Sequence, residues 1–255
     1  MSLLNVKHLQ KIYSSRFSSQ KVEALKDVSF EVEEGEYIAI MGESGSGKTT
    51  LLNILASLDK PTHGEVLLDG KDLTKISDKH ISAFRRDNLG FVFQDFNLLD
   101  TFNVADNIYL PLVLSKEPYA LMKPKLEKLA KPLGIDHLLE KYPYEISGGQ
   151  KQRLAIARAI AKNPDIYIFD DSFSALDFKT DAKLRQELNQ LVKKTKSTVL
   201  LVGQRIASIM DADQIIVLDE GRIVGKGTHD ELMKSCQVYQ EIAYSQLSKE
   251  ELSHE

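Results

Sequence analysis

Two N-terminal segments of the chain alternate apolar and polar residues. Residues 3–9 and 22–33 follow this pattern. In the second segment it places Val28, Phe30 and Val32 on one face of the predicted strand. A period of two is typical of strands with one buried face. Residues 65–68 are predicted to form a further short strand, and the Asp69-Gly70 pair that follows it favours a turn. These segments predict an antiparallel β edge.

Other apolar positions form continuous runs, at residues 37–41, 166–169, 198–202 and 215–218. Runs of this kind, separated by helical stretches, are typical of buried strands in a parallel α/β sheet. Residues 104–140 and 151–162 are predicted to be mainly helical, with interruptions at Pro111, Pro118, Pro124 and Pro132. The tail over residues 230–255 is predicted to be helical, polar and exposed.

The predicted fold is therefore α/β, in a single domain over residues 1–255. Its core takes residues 1–95 and 164–229 and combines the parallel sheet with the antiparallel edge. A helical subdomain is inserted at residues 96–163, and a helical tail follows. A chain of 255 residues is long enough to bury a full core.

Composition narrows the possible classes of protein. The chain is 42% hydrophobic and 27% charged, as globular proteins are, and its net charge of −4 gives no basic excess that would indicate nucleic acid binding. The single cysteine, Cys236, has no partner for an internal disulfide and fits a reducing cytosol.

The N-terminus does not resemble a signal peptide, and no apolar stretch reaches the ~18–20 residues that span a bilayer. Any membrane role is thus expected to come through a partner.

The glycine-rich segment after the first apolar run, residues 42–49, matches GxxxxGK[ST] and leads into a helical run. A strand before the motif and a helix after it are the context of a P-loop. Glycines let the backbone wrap a phosphate with its N–H groups inward, and the helix N-terminus adds partial positive charge. Lys48 is predicted to reach the β- and γ-phosphates, and the Thr49 hydroxyl to bind Mg²⁺. The predicted nucleotide-binding residues of this segment are Gly42, Ser44, Gly45, Ser46, Gly47, Lys48, Thr49 and Thr50.

Magnesium at a P-loop needs an acidic partner at the end of a strand. Asp170 closes the apolar run 166–169 and is the candidate. Because apolar strands often end in aspartate, an ordinary strand end stays open as the alternative.

Residues 146–150 read Ile-Ser-Gly-Gly-Gln and continue as KQRLAIARA over residues 151–159. This segment resembles the signature motif of ABC transporter ATPases, LSGGQ followed by xQRxxxARA, and it lies between P-loop and Asp170 as in that family. Glycines at a helix start make a second anion-binding element. The resemblance implies that one subunit's signature closes on ATP held by the other subunit's P-loop, through Ser147, Gly148, Gly149 and Gln150. The chain would then work as half of a dimer.

Further positions resemble those of the same family. Gln94, after Phe91-Val92-Phe93, is similar to the Q-loop glutamine on the γ-phosphate side, which implies catalytic, metal-binding and partner contacts. Tyr13 resembles the aromatic residue that stacks on adenine, and residues 174–177 resemble the D-loop at the dimer interface. A surface glutamine and a tyrosine that only packs are the alternatives.

The resemblance covers nearly the whole chain and implies a P-loop NTPase (RecA-like) core that hydrolyses MgATP. It also implies transmembrane permease subunits as partners and a cytoplasmic position at the inner face of the cell membrane. Residues 95–99, apolar after the Q-loop, suit a groove for a partner's cytoplasmic helix. The N-terminal part contains GESGSGKTTLLNILASLDKPTHGEV, FVFQDFNLLD and YPYEISGGQKQR. With these segments, the chain up to about residue 155 resembles cassettes of bacitracin-export and lipoprotein-release systems. The C-terminal part contains IFDDSFSALD and DADQIIVLDEGRIVGKGTHDEL. With these segments, the chain from about residue 164 resembles cassettes of heterodimeric multidrug exporters.

Two positions depart from the family pattern. Asp170 is at the position of the family's Walker B aspartate, and the next residue is Asp171, where the family has a glutamate that polarises the attacking water. Gln204 occupies the position of the family's switch histidine. Aspartate is one methylene shorter, and glutamine can donate a hydrogen bond but carries no charge. Both are candidate catalytic residues, and together they resemble the degenerate ATP site of heterodimeric exporters. Tolerated substitutions are the alternative.

The sequence is compatible with three functions. The first is a transport ATPase in which MgATP closes a dimer and hydrolysis reopens it. The second is a non-catalytic, ATP-gated dimerisation module, which Asp171 and Gln204 favour. The third is a cassette of translation or DNA repair, although such proteins usually carry tandem cassettes or long insertions and this chain has neither.

Overall fold

The computed structural model describes residues 2–14, 21–170 and 196–251, with side chains up to residue 246. Contacts divide the chain into two compact units. The first unit comprises Met1–Ile81 and Leu200–Glu255, and the second comprises Ser82–Val199.

Strands and helices are numbered here in chain order over the described residues. The strands are β1 Ser2–Ser14, β2 Lys21–Glu33, β3 Tyr37–Met41, β4 His63–Leu68, β5 Lys71–Asp72, β6 Leu89–Val92, β7 Ile166–Asp170, β8 Thr198–Val202, β9 Gln214–Asp219 and β10 Arg222–Gly227. The α-helices are α1 Lys48–Leu55, α2 Asp78–Asn88, α3 Val104–Leu114, α4 Tyr119–Ala130, α5 Gly148–Ile160, α6 Ile206–Ile209, α7 His229–Ser235 and α8 Gln237–Glu251. Short 3-10 helices lie at Leu73–Lys75, Asp136–Leu138 and Pro143–Glu145.

The first unit contains an antiparallel sheet in the order β2-β1-β4-β5, which confirms the predicted antiparallel edge. The apolar residues of the alternating pattern face the core, since Val28, Phe30 and Val32 are at most 3% exposed. Asp69 and Gly70 both have positive φ, 47° and 73°, and join β4 to β5 in a tight turn. This conformation of two successive residues is the one that the Asp-Gly pair favours.

The same unit carries the strands that lead to the P-loop. The strand order there is β10-β9-β3-β8, with β3 and β9 parallel and β10 antiparallel at the end. Every residue of β3 is buried, as are Ile215, Ile216, Val217 and Leu218 of β9. The continuous apolar runs are therefore strands covered on both faces, as predicted.

In the second unit, β6 and β7 pair in parallel and the helices α3, α4 and α5 pack against one another. α5 also packs against β6, so the helix that begins in the signature segment is fixed to a core strand. The predicted bounds of a helical subdomain, residues 96–163, stay a prediction.

Some element predictions were wrong. Pro111 and Pro124 lie inside α3 and α4 rather than interrupting them. A proline removes one backbone donor, but the buried side chains around it keep each helix in place, as Ile108 and Leu112 do in α3. The C-terminal tail is helical, but it is not exposed throughout, because Leu232, Tyr239 and Ala243 are fully buried.

Candidate nucleotide-binding site

The P-loop motif joins the buried strand β3 to helix α1. Gly47 forms the N-cap of α1 with φ 103°, and a Cβ atom on it would lie 2.6 Å from the carbonyl oxygen of Ala24. Only glycine fits this position without strain. Because no side chain caps α1, its first N–H groups can bind an anion such as phosphate.

The Lys48 side chain lies across this loop. Its ammonium donates to the carbonyl oxygens of Gly42 at 2.8 Å and Glu43 at 2.6 Å, and to the Ser46 hydroxyl at 3.4 Å. These acceptors carry partial charge only, whereas phosphate oxygens carry full negative charge and make stronger hydrogen bonds with an ammonium. Lys48 is thus held where a bound phosphate would be its preferred partner.

Tyr13, the predicted adenine-stacking residue, lies near the C-terminal end of β1 and is 42% exposed. Its hydroxyl donates to the Asp59 carboxylate at 2.9 Å, and the Lys11 ammonium lies 4.8 Å from its ring centroid. Lys11 also contacts Asp59 at 2.6 Å. The ring is therefore fixed at its hydroxyl end and still presents surface to solvent, as a stacking residue must.

Protonation of the Tyr13–Asp59 pair is well defined. Burial raises the pKa of the Tyr13 hydroxyl, so the hydroxyl stays a donor at neutral pH. Burial opposes ionisation of Asp59, but hydrogen bonds from Lys11 and Tyr13 outweigh it and lower the pKa of this carboxyl. Asp59 is thus ionised and accepts from both neighbours.

Gln204 is exposed in the bend after β8. The preceding residue, Gly203, donates its backbone N–H to Ile40 of β3 at 3.2 Å. Since β3 leads into the P-loop, the bend with Gln204 starts beside the strand that positions the phosphate-binding loop.

Gln94 is exposed in the turn that follows β6. The next part of this turn has two residues of positive φ, Phe96 at 62° and Asn97 at 45°. Arg158 of α5 donates to the carbonyl oxygens of both, at 2.6 and 2.7 Å. The guanidinium therefore connects the signature helix to the turn that carries Gln94.

The signature residues form the N-terminus of α5. Ser147 is its N-cap, and its hydroxyl accepts from the Gln150 N–H at 3.3 Å while the Gln150 side chain accepts from the Ser147 N–H at 2.8 Å. Ser147 and Gly148 are exposed. The capping box fixes the helix start and leaves the Ser147 hydroxyl hydrogen to donate to an outside acceptor.

Asp170 is the last residue of β7 and is half-buried. Asp171 and the D-loop segment, residues 174–177, lie outside the described residues. The P-loop, Tyr13 and Gln204 belong to the first unit, and Gln94, Asp170 and the signature belong to the second.

Sequence reasoning missed several residues that support the candidate site. Asp59 and Lys11 hold Tyr13, and Arg158 holds the Gln94 turn. Only Arg158 had a signal in the sequence, as part of the segment that follows the signature glycines. The contacts of Asp59 join residues 46 and 48 positions apart, which no local pattern indicates.

A parallel sheet with a P-loop between strand and helix defines a P-loop nucleoside triphosphatase. Residues 25–174 match the ABC transporter family. The chain is 43% identical over 222 residues to the ABC transporter ATP-binding protein YxdL of Bacillus subtilis, with 87% of this chain and 85% of that protein covered. It is 40% identical over 223 residues to the bacitracin export ATP-binding protein BceA of Halalkalibacterium halodurans, with 88% and 87% covered.

A solved structure is similar as well. The dimeric ATP-binding cassette MJ0796, in a post-hydrolysis state bound to ADP and Pi, superposes with a TM-score of 0.83 at 36% identity, covering 88% of this chain and 98% of that one. The chain therefore belongs to the ABC transporter family. It is an ATP-binding cassette, the transport ATPase subunit of such systems, with the fold of that family.

Proposed function

We propose that two copies of a cassette of this type bind two MgATP molecules between them, each held by the P-loop of one copy and the signature of the other. Two observations within the chain support this arrangement. The start of α1 offers uncapped N–H groups and the Lys48 ammonium, and the start of α5 offers an exposed, fixed Ser147. Each is suited to one side of a triphosphate.

Hydrolysis is proposed to reopen the dimer. The sequence motifs assign Thr49, Gln94 and Asp170 as magnesium ligands, and these residue types suit the ion because Mg²⁺ prefers oxygen ligands. When bound, Mg²⁺ would neutralise charge on the phosphates. Asp171 and Gln204 would orient the attacking water and the γ-phosphate.

A groove in the second unit supports contact with a transmembrane subunit. It has a volume of about 200 Å³ and is lined by β6, by α3, by the end of α5 and by Lys162 just after that helix. The lining residues of β6 and α3 include Leu89, Phe91, Leu110, Pro111 and Leu114. Leu114 is 56% exposed, as is its neighbour Val113. We assign the groove to a cytoplasmic helix of the permease partner, an apolar segment that would cover these side chains.

Arg158 makes this groove a suitable place to transmit force. It lines the groove and donates to the two carbonyl oxygens in the Gln94 turn. Lys162, whose pKa burial lowers to about 8, lines the same groove and donates to carbonyl oxygens of Arg85 and Arg86 at the end of α2. A helix in the groove would therefore move with the turn that carries Gln94.

Among the described residues, no helix is both long enough and apolar enough to cross a bilayer. Separately, we propose that the cassette lies at the inner face of the membrane through its contact with the permease. The non-catalytic dimerisation module is the second candidate, because Asp171 and Gln204 replace the residues expected for efficient hydrolysis.

Dimer formation tests the proposal. With MgATP, the Asp171→Asn variant, which cannot supply a carboxylate base, should shift in light scattering from the 28.7 kDa of one chain to twice that mass. Adding Ser147→Asp should abolish the shift, because aspartate preserves the N-cap but repels phosphate. Ser147→Asn, a neutral cap, is the matched control and should still dimerise. A protein that binds ATP yet stays monomeric at high concentration would exclude the homodimer and leave only a heterodimer.

A further inference from the structure

The C-terminal helix α8 contacts the bend that carries Gln204 through one side chain. The Gln246 amide donates through Nε2 to the Gln204 carbonyl oxygen at 2.6 Å, and its Oε1 accepts from the Ile206 N–H at 2.8 Å. One side chain thus bridges the backbone on both sides of Arg205, from 40 to 42 positions away in sequence.

The backbone of this bend needs such a partner. Ile206 is the first residue of α6 and is 6% exposed. The side chain of Arg205, the N-cap residue, accepts no hydrogen bond from the helix. A buried N–H at a helix start has no intrahelical acceptor and is unfavourable without another one. The Gln246 oxygen supplies that acceptor, and the donor on the same amide fixes the carbonyl of Gln204.

Gln246 itself is held in place by the packing of α8. Tyr239 and Ala243 are fully buried, and their spacing of four, followed by three to Gln246, puts all three on one helix face. The Tyr239 hydroxyl also lies 2.8 Å from Nδ1 of His229. The Gln246 amide therefore extends from a helix that packing holds in place, and it can fix the conformation of the bend.

The other side of the bend is fixed as well, by the Gly203 N–H bond to Ile40. Gln204 lies between these two anchors with its side chain exposed. We infer that Gln246 is a positioning residue for Gln204: its amide fixes the backbone from which the Gln204 side chain reaches the γ-phosphate. This inference rests on the proposed role of Gln204.

The positioning role of Gln246 can be tested on the full chain. The two measurements are single-turnover hydrolysis of pre-bound MgATP and ATP affinity by calorimetry. Gln246→Ala should slow the single-turnover rate roughly three- to tenfold and leave ATP affinity unchanged, since the P-loop contacts remain. The variant Gln204→Ala, Gln246→Ala should be no slower than Gln204→Ala alone, because the two residues act as one unit. Gln237→Ala is the matched control: it removes an exposed glutamine from the same helix and should keep the wild-type rate.

Gln246→Glu separates the two hydrogen bonds. Glutamate keeps the acceptor for the Ile206 N–H but loses the donor to Gln204, so the thermal midpoint should stay close to that of the wild type while the rate falls as in Gln246→Ala. A wild-type rate in Gln246→Glu would overturn the positioning role.

The remaining outcomes distinguish this inference from the proposed function. If Gln204→Ala slows hydrolysis but Gln246→Ala does not, or if the two effects multiply, only the positioning role fails. If Gln204→Ala leaves the rate unchanged, the proposed role of Gln204 fails and the inference fails with it.

Discussion

Replacing Lys48 with alanine is expected to remove most of the ATP affinity of this cassette. The ammonium lies 2.6–2.8 Å from two carbonyl oxygens of the P-loop, where the β- and γ-phosphates of a bound nucleotide would take their place. Loss of a hydrogen bond between charged groups corresponds to roughly a 10- to 100-fold weaker affinity. Isothermal calorimetry with MgATP measures this change.

Lys60→Ala provides the control for Lys48→Ala. Lys60 pairs with Asp78 at 2.8 Å on the surface of the same unit, and both side chains are more than half exposed. Its loss should leave ATP affinity unchanged, because exposed ion pairs contribute little. Equal ATP affinity in Lys48→Ala and wild type would contradict the assignment of residues 42–49 as a phosphate-binding loop.

The second large effect is an expected gain in the rate of hydrolysis. Asp171→Glu together with Gln204→His should raise the rate of single-turnover hydrolysis. Asp170 is the proposed magnesium ligand, so its neighbour must reach past it to the water opposite the γ-phosphate, and aspartate is one methylene too short. Histidine adds a charged hydrogen bond that glutamine cannot make. The gain should recover part of the ~10²–10⁴-fold contribution of a positioned base.

The single variants and an ATP binding measurement complete this experiment. The two gains need not multiply, because both residues act on one water and one phosphate. Affinity should change little, since neither substitution touches the P-loop. If the wild type already turns over as fast as the double variant, Asp171 is a competent base and the degenerate-site interpretation is wrong.

The strands that lead to the site could be predicted because their signals are local. Residues 37–41 and 215–218 are apolar throughout, and β3 and β9 are buried on both faces as such runs require. The P-loop depends on spacing within eight residues and on its flanking elements. Helix α2 was missed because its residues are mostly polar and only Phe84 is buried. Strand β10 was missed because its residues are half-buried or exposed and include Gly225 and Gly227.

The residues that support the site could not be predicted, because their contacts are between distant parts of the chain. Asp59 reaches Tyr13, Arg158 reaches Phe96, and Gln246 reaches Gln204, each across more than 40 positions. In the sequence Asp59 and Gln246 are an ordinary aspartate and glutamine, and the local pattern around Arg158 does not indicate its contact with Phe96. Their roles depend on tertiary packing, which brings a side chain to a particular backbone group or hydroxyl.

Mixing two inactive variants tests the composite ATP site most directly. Lys48→Ala keeps the signature and Ser147→Asp keeps the P-loop, so a dimer of one with the other contains one intact site. Each substitution would be made in a separate chain. The parent of both is either the wild type or the Asp171→Glu, Gln204→His double variant, whichever hydrolyses ATP faster. Random pairing of equal amounts should restore up to about a quarter of the parent's single-turnover hydrolysis, although each variant alone is inactive. A mixture no faster than the sum of its components would contradict an ATP site shared between two copies.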